Sequence, residues 1–418
     1  MKILIATLGS RGDVQPYLAL AVGLQRAGHR VTLTAPQTFA GWIQSYGVDV
    51  APVQFNPQEA MQKLGQTGGG LRSLNAMLKI VREGMTAAQA DVWQAAQDTD
   101  FFIQSATGMG AMETAALRGI PAAFAYLFPF APTRSFPMFW LPFRFSLGGG
   151  YNLLTHKLMA RLLWRFGGSL NNQWRGRLGL KPWRSEREMF AYARALKTPF
   201  LYGYSPSLLP PPADWDEQQQ VTGYWFLSAA ADWQPPAALA QFLADGSPPV
   251  YVGFGSTRLK NAERQTRVVL EALALSGQRA VLSTGWGGLA QGSAPANIFF
   301  VADVPHDWLF ARVTAVVHHG GAGTTSAGLR AGIPSIIAPF GGDQWSWADL
   351  VVKAGVGLRV GSGQRIRAKQ LAAAMETVIT DPTLRQRANA FGDAIRAENG
   401  IARAIQLIEN HAHIQEMR

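Results

Sequence analysis

The chain contains no cysteine. Disulfides and thiolate metal sites are therefore excluded, and the compartment is left open by that absence. A long apolar run is also missing. A membrane-spanning helix needs about 20 apolar residues, and the richest stretch here, YLFPFAPTRSFPMFWLPFRF, is broken by several prolines and by Arg134 and Arg144. The opening MKILIATLGSRGD has too short an apolar run for a secretory leader, and Arg11 and Asp13 interrupt it. The expectation is a cytoplasmic protein, at most peripheral to the inner membrane face. Charged residues are sparse, 16% against 48% hydrophobic, which marks a globular chain and excludes a disordered one. The charge that is present leans one way, with a formal net of +11. Its basic residues form no dense run and no nucleic-acid motif is found, so an anionic membrane surface is the favoured polyanion and nucleic acid is not expected.

What is present is one plan used in two halves. The 418 residues hold two or three domains' worth of core. At the start, KILIATL reads as a buried strand, GSRGDVQP as a Gly-bearing turn, YLALAVGLQRAG as an apolar-faced helix beginning near Pro16, and HRVTLTAP as a second strand. DFFIQSA and PAAFAY continue the series. SPPVYVGFGS then opens a second set, followed by QRAVLSTG, NIFFVADV, TAVVHH and PSIIAPF. Such βαβ units build parallel, doubly wound α/β sheets. The polar, proline-bearing stretch SPSLLPPPADWDEQQQ marks a connector. The expected division is 1–212 for the first Rossmann-like domain, 213–245 for the connector, 246–395 for the second domain, and 396–418 for a terminal helix packing back on the first domain. Two such domains facing each other leave a cleft at the C-terminal ends of their strands, where ligands bind.

The chemistry concentrates in HHGGAGTTSAGLRAGIPSIIAPFGGDQ. TAVVHH ends a strand, GGAGTT turns, and SAGLRAG opens a helix, so small residues let a ligand approach and helix N–H groups aim at an anion. No Lys follows the turn, so it is not a P-loop. His319 at the strand end can donate to a phosphate oxygen, while His318 points to the other face of the strand. Ser256 lies on the same rim and is expected to add a hydroxyl to a diphosphate. One βα unit along, Asp343 and Gln344 offer a carboxylate that accepts and an amide that donates and accepts, a set suited to sugar hydroxyls. Asp343 also suits a helix N-cap. A diphosphate site beside a polyol site spells a nucleotide sugar.

HHGGAGTT and PFGGDQ, together with GSRGDVQP, VTGYWF, PPVYVGFGS and VPHDWLF, resemble the family 1 glycosyltransferases of GT-B fold, in the branch of sterol glucosyltransferases and antibiotic glycosyltransferases. The resemblance implies two Rossmann-like domains across a cleft. It implies donor diphosphate contacts from His319, Gly321, Gly323 and Thr324, and donor-sugar contacts from Asp343 and Gln344. The nucleotide base is expected against backbone near Val304. The plant branch stacks a Trp there; this chain has Asp303, and Trp286 is the substitute. The plant branch also has a His where this chain has Asp13 in GDVQP, and the resemblance makes Asp13 the catalytic base. Its other reading is a helix cap, and Arg11 is positioned in sequence to pair with it and lower its pKa.

The implied reaction is metal-independent, inverting transfer of a hexose, with glucose first. The nucleotide sugar is the co-substrate, UDP-glucose ahead of a dTDP-sugar, and no cofactor is called for. No DxD pair and no His/carboxylate spacing demands a metal. The acceptor pocket is expected from the aromatic stretch, at Phe136, Met138, Phe139, Trp140 and Phe143, and its character favours a lipophilic alcohol: a sterol, carotenoid or polyketide-like aglycone. The following LLTHKLMARLLWRFGGSLNNQWRGRLG reads as a basic, apolar-faced helix. Three alternatives stay open: a silent helper of a partner enzyme, a nucleotide-sugar epimerase and a lipid-carrier glycosyltransferase. Oligomeric state has no signature.

Overall fold

The computed structural model describes residues 1–54, 71–141, 145–230, 232–255, 262–285, 289 and 295–416. Two parallel sheets dominate it. The first is ordered β3-β2-β1-β4-β5-β6-β7, with β1 at Lys2–Ala6, β2 at Arg30–Pro36, β3 at Asp49–Val53, β4 at Phe101–Ser105, β5 at Ala122–Tyr126, β6 at Phe200–Tyr202 and β7 at Gln219–Val221. The second is ordered β10-β9-β8-β11-β12-β13, with β8 at Val250–Gly253, β9 at Ala280–Ser283, β10 at Ile298–Val301, β11 at Ala315–His318, β12 at Ser335–Ile337 and β13 at Gly357–Arg359.

Both sheets are covered on two faces, which is why their central strands read as continuous apolar runs. Side chains alternate along β1: Ile3 and Ile5 enter one core, Leu4 and Ala6 the other. In the second sheet Val250 and Val252 enter one core and Tyr251 the opposite one. The terminal helix Gly400–Glu416 lies across helix Arg11–Arg26, with Ala404, Ile408 and Ala412 in the core of the first sheet.

Two boundaries differ from the sequence reading. The stretch expected as connector contributes β7, which pairs with β6 from Phe200↔Gln219 to Tyr202↔Val221. A three-residue polar strand carries no period of its own; its partner makes it. The first helix begins at Arg11, ahead of Pro16, because Ser10 and Asp13 form a capping box that starts it earlier. Among the described residues, no helix is long and apolar enough to cross a membrane.

Candidate functional site

The site is built where the C-terminal strand ends of the two sheets meet. On the first rim, β1 runs through Gly9 into helix Arg11–Arg26. Gly9 has φ +114°, and a Cβ there would stand 2.5 Å from the Asp13 carboxylate, so only glycine fits. Asp13 Oδ2 accepts the Ser10 N–H at 2.8 Å and the Ser10 hydroxyl at 2.9 Å. Burial raises the Asp13 pKa, against the lowering effect of the two Ser10 bonds. Arg11 does not pair with Asp13. It reaches over the cleft to Asp303 and lies 4.7 Å above the Trp42 ring. Among the described residues, Asp13 takes part in no ion pair.

On the second rim, β11 ends at His318, which is fully buried and accepts the Gly320 N–H on Nδ1 at 3.1 Å. His319 turns the other way, and its ring packs between two glycines. A Cβ at Gly255 would come within 2.7 Å of the ring and one at Gly321 within 2.4 Å. Burial, aided by His306, lowers the His319 pKa to about 4, so the imidazole is neutral at pH 7. Its Nδ1 is buried and has no hydrogen-bond partner among the described residues. Helix Ala322–Ala331 follows, with Gly321 at its N-cap and Thr325 the first residue whose N–H returns to Gly321, at 3.0 Å. The N–H groups of Ala322, Gly323 and Thr324 remain for a ligand. Gly323 is exposed, with open space where a side chain would stand.

Asp343 takes the N-cap position of helix Gln344–Lys353, but its carboxylate does not cap. It accepts the Trp347 indole N–H at 2.9 Å instead. Burial lifts its pKa to about 6; the indole bond opposes this, and the Asp13 carboxylate of the other domain adds to it. Gln344 is more committed than expected: its Oε1 accepts the N–H groups of Phe340 at 2.8 Å and Gly341 at 3.2 Å. The amide oxygen is occupied by the loop, which leaves the NH2 to donate.

The other expected positions divide. Ser256, Trp286 and Phe143 lie outside the described residues. The Val304 side chain is buried with Tyr251 and Leu309, so only its backbone can meet a ligand. Met138 faces the core, and Phe139 lies between the two domains. Met138 is buried and donates its N–H to Thr155, while Phe139 packs on Trp347 at 4.8 Å and accepts the Ser346 hydroxyl on its carbonyl. This segment wedges the domains together. Trp140 leans on Phe128 at 5.1 Å, and Phe136 is half-buried. Phe136 and Phe139 do border a cavity of about 430 Å³ with Leu209, Pro210 and Leu350, at the end of helix Gln344–Lys353 away from Asp343.

Two contributors were missed in the sequence. Trp347 orients Asp343 from one turn along the same helix, a spacing legible in DQWSW. His306 stacks on Phe310 at 4.4 Å, and burial lowers its pKa to about 4, which keeps it neutral beside His319. Among the described residues, no three His, Cys, Asp or Glu side chains are grouped to hold a metal ion.

Two Rossmann-like sheets closed on a cleft, with a Gly-rich turn and helix start on one rim and an acid on the other, define the GT-B fold. The chain has that fold. Residues 3–121 match the glycosyltransferase family 28 N-terminal domain, and residues 286–406 match the erythromycin biosynthesis protein CIII-like C-terminal domain. The chain is 36% identical to a sterol 3-beta-glucosyltransferase of Emericella nidulans over 98% of its own length and 30% of that protein's. It is 37% identical to one of Neurospora crassa, over 98% of its own length and 27% of that protein's. The chain thus spans under a third of the length of these curated relatives. Among solved structures, the glycosyltransferase of kitacinnamycin superposes with a TM-score of 0.74 at 21% identity, covering 98% of this chain and 99% of that one. The glycosyltransferase VinC, in complex with dTDP, gives 0.69 at 18% identity, covering 99% and 100%.

Proposed function

We propose that the chain is an inverting glycosyltransferase that moves a hexose, glucose in the first instance, from a nucleotide diphosphate sugar to the hydroxyl of a lipophilic alcohol such as a sterol. The observation that carries the reading is the contact of helix Arg11–Arg26 with helix Ala322–Ala331 across the cleft, which brings the Asp13 end of one domain to the turn that holds His319 and its Nδ1, unpartnered among the described residues, in the other. In this reading Asp13 takes the proton of the acceptor hydroxyl as its oxygen attacks the anomeric carbon, and the burial that raises its pKa makes it a stronger base. The new C–O bond forms on the face opposite the departing diphosphate. The diphosphate gathers charge as its bond breaks. His319 and the free N–H groups of Ala322, Gly323 and Thr324 donate to it. Asp343 accepts from the sugar hydroxyls and the Gln344 NH2 donates to them. Ser256 keeps its expected hydroxyl contact to the diphosphate, Trp286 its stacking on the base, and Val304 its backbone contact beside it.

The names of the curated relatives support glucose and a sterol, and a structural neighbour bound to dTDP supports a nucleoside diphosphate leaving group. UDP-glucose is the first donor to try. A peripheral position against a membrane belongs to the same reading, since the acceptor class lives there. The test is nucleotide release from UDP-glucose and dTDP-glucose, with and without pooled sterols, carotenoids and phenolic alcohols. Acceptor-dependent release supports the transferase. Equal release without acceptor, or release from neither donor, overturns it.

A further inference from the structure

The helix Gly149–Arg177 is turned inside out. Its polar side chains Asn152, Thr155 and His156 are buried against the segment 134–138: Asn152 donates to the Arg134 carbonyl at 2.8 Å, Thr155 accepts the Met138 N–H at 2.8 Å, and His156 donates from Nε2 to the Phe136 carbonyl at 3.1 Å. Near its other end, Arg175 is buried against Glu113 at 3.1 Å and lies over the Trp183 ring at 3.7 Å. This seating fixes the rotation of the helix and sends its leucines outward. Leu154, Leu158, Leu162 and Phe166 are 50%, 54%, 47% and 56% exposed. They recur every fourth residue, so they form one row about 18 Å long. Phe145 and Leu147, just ahead of the helix, are also exposed, at 55% and 73%.

A second row runs beside the first. Lys157, Arg161 and Arg165 are exposed, each one position before an exposed apolar residue, and none is in an ion pair among the described residues. The helix contains no Asp or Glu at all. An exposed apolar row of this length marks an interaction site. Its chemistry selects the partner. A leucine row beside a cationic row suits a bilayer, where apolar side chains enter the acyl boundary and Lys and Arg reach anionic headgroups. A second copy of the chain suits it less: two such faces would set cations against cations with no acid on either helix to pair with them.

We propose that this face seats the protein on an anionic lipid bilayer. The segment 134–139 that receives the polar side of the helix also supplies Phe139 to Trp347, so the bilayer seat and the wall of the cleft share one piece of chain. Delivery of a lipophilic acceptor along that segment rests on the transferase reading; the seat itself does not.

The test is co-sedimentation of the full chain with vesicles of phosphatidylcholine alone and of phosphatidylcholine mixed with phosphatidylserine. The mixed vesicles are expected to bind it more tightly, and added salt to weaken that binding. Leu158→Glu with Leu162→Glu should reduce binding about tenfold or more, and Arg161→Ala about fivefold. These positions are exposed, and circular dichroism verifies that the variants fold. The proposal is overturned if the wild-type chain does not partition onto mixed vesicles, or if the double variant partitions as well as wild type. It is also overturned if sedimentation velocity shows a dimer that the double variant dissolves. None of these readouts uses catalysis, so the nucleotide-release assay fails or succeeds independently.

Discussion

Asp13 and Asp343 stand at the starts of helices that leave opposite rims of one cleft, and they are held by different means. Asp13 is fixed by its own helix start, through the Ser10 N–H and hydroxyl. Those bonds form whenever the first turn forms. Asp343 is fixed by the Trp347 indole. Trp347 is fully buried and packs on Phe139 at 4.8 Å and Tyr204 at 6.3 Å, both from the first half of the chain. The geometry of the second acid therefore depends on the docking of the domains, while that of the first does not. Burial raises both pKa values. In the proposed mechanism, the base is placed by its own helix start and the sugar-binding acid by the docking of the domains.

The sharpest break is Asp13→Asn, which should lower kcat by about 10²–10⁴-fold with little change in donor KM, read by steady-state kinetics. His319→Ala should follow, with kcat/KM for the donor down by about 10²–10³-fold through loss of a donor to the leaving group. Asp343→Asn should act mainly on the donor, lowering kcat/KM about tenfold by removing a charged hydrogen-bond acceptor.

Asp343→Asn also carries a stability signature. The raised pKa of Asp343 contributes stability below the ordinary carboxylate range, and that contribution is lost as pH rises through about 6. The amide cannot ionise, so the variant should melt higher than wild type above pH 6 and converge with it near the ordinary Asp pKa of about 4. Scanning calorimetry across pH reads this directly.

Phe139→Ala separates the two acids. It should cost about 3–5 kcal/mol of stability and raise donor KM through Trp347 and Asp343, while the pH dependence set by Asp13 stays in place. Arg11→Ala is the smallest expected change. Its ion pair with Asp303 is largely exposed, at 33% and 65%, so calorimetry should find under about 1 kcal/mol.

Much of the scaffold was legible because it is local. The strands at KILIATL, DFFIQSA, PAAFAY, TAVVHH and PSIIAPF are continuous apolar runs, and all appear in the sheets. The helix start at Arg11 was also written locally, as Ser10 three residues before Asp13, but the weight given to Pro16 hid it. Arg11 shows the limit of such reading. Its sequence neighbour Asp13 looked like the partner, and its partner is Asp303, from the other domain. The aromatic stretch was legible by composition, but composition does not say that Met138 is packed into the core while Phe136 and Phe139 border a cavity.

The two sets of strands, the Gly-rich turn with His319 at its start, and the small residues at Gly9, Gly255 and Gly321 that leave room for a carboxylate and an imidazole are written in the local sequence. These follow from the period of apolar residues and the conformations glycine permits, which neighbours along the chain decide. Contacts between distant parts of the chain set the rest: Arg11 reaches Asp303, the Gln344 oxygen is already taken, and a leucine row faces out while Asn152, Thr155 and His156 face in. A helix pattern gives the angle between its faces but not which face meets the protein. That choice is made by groups far away in the chain, here the backbone of 134–138 and the Glu113 carboxylate.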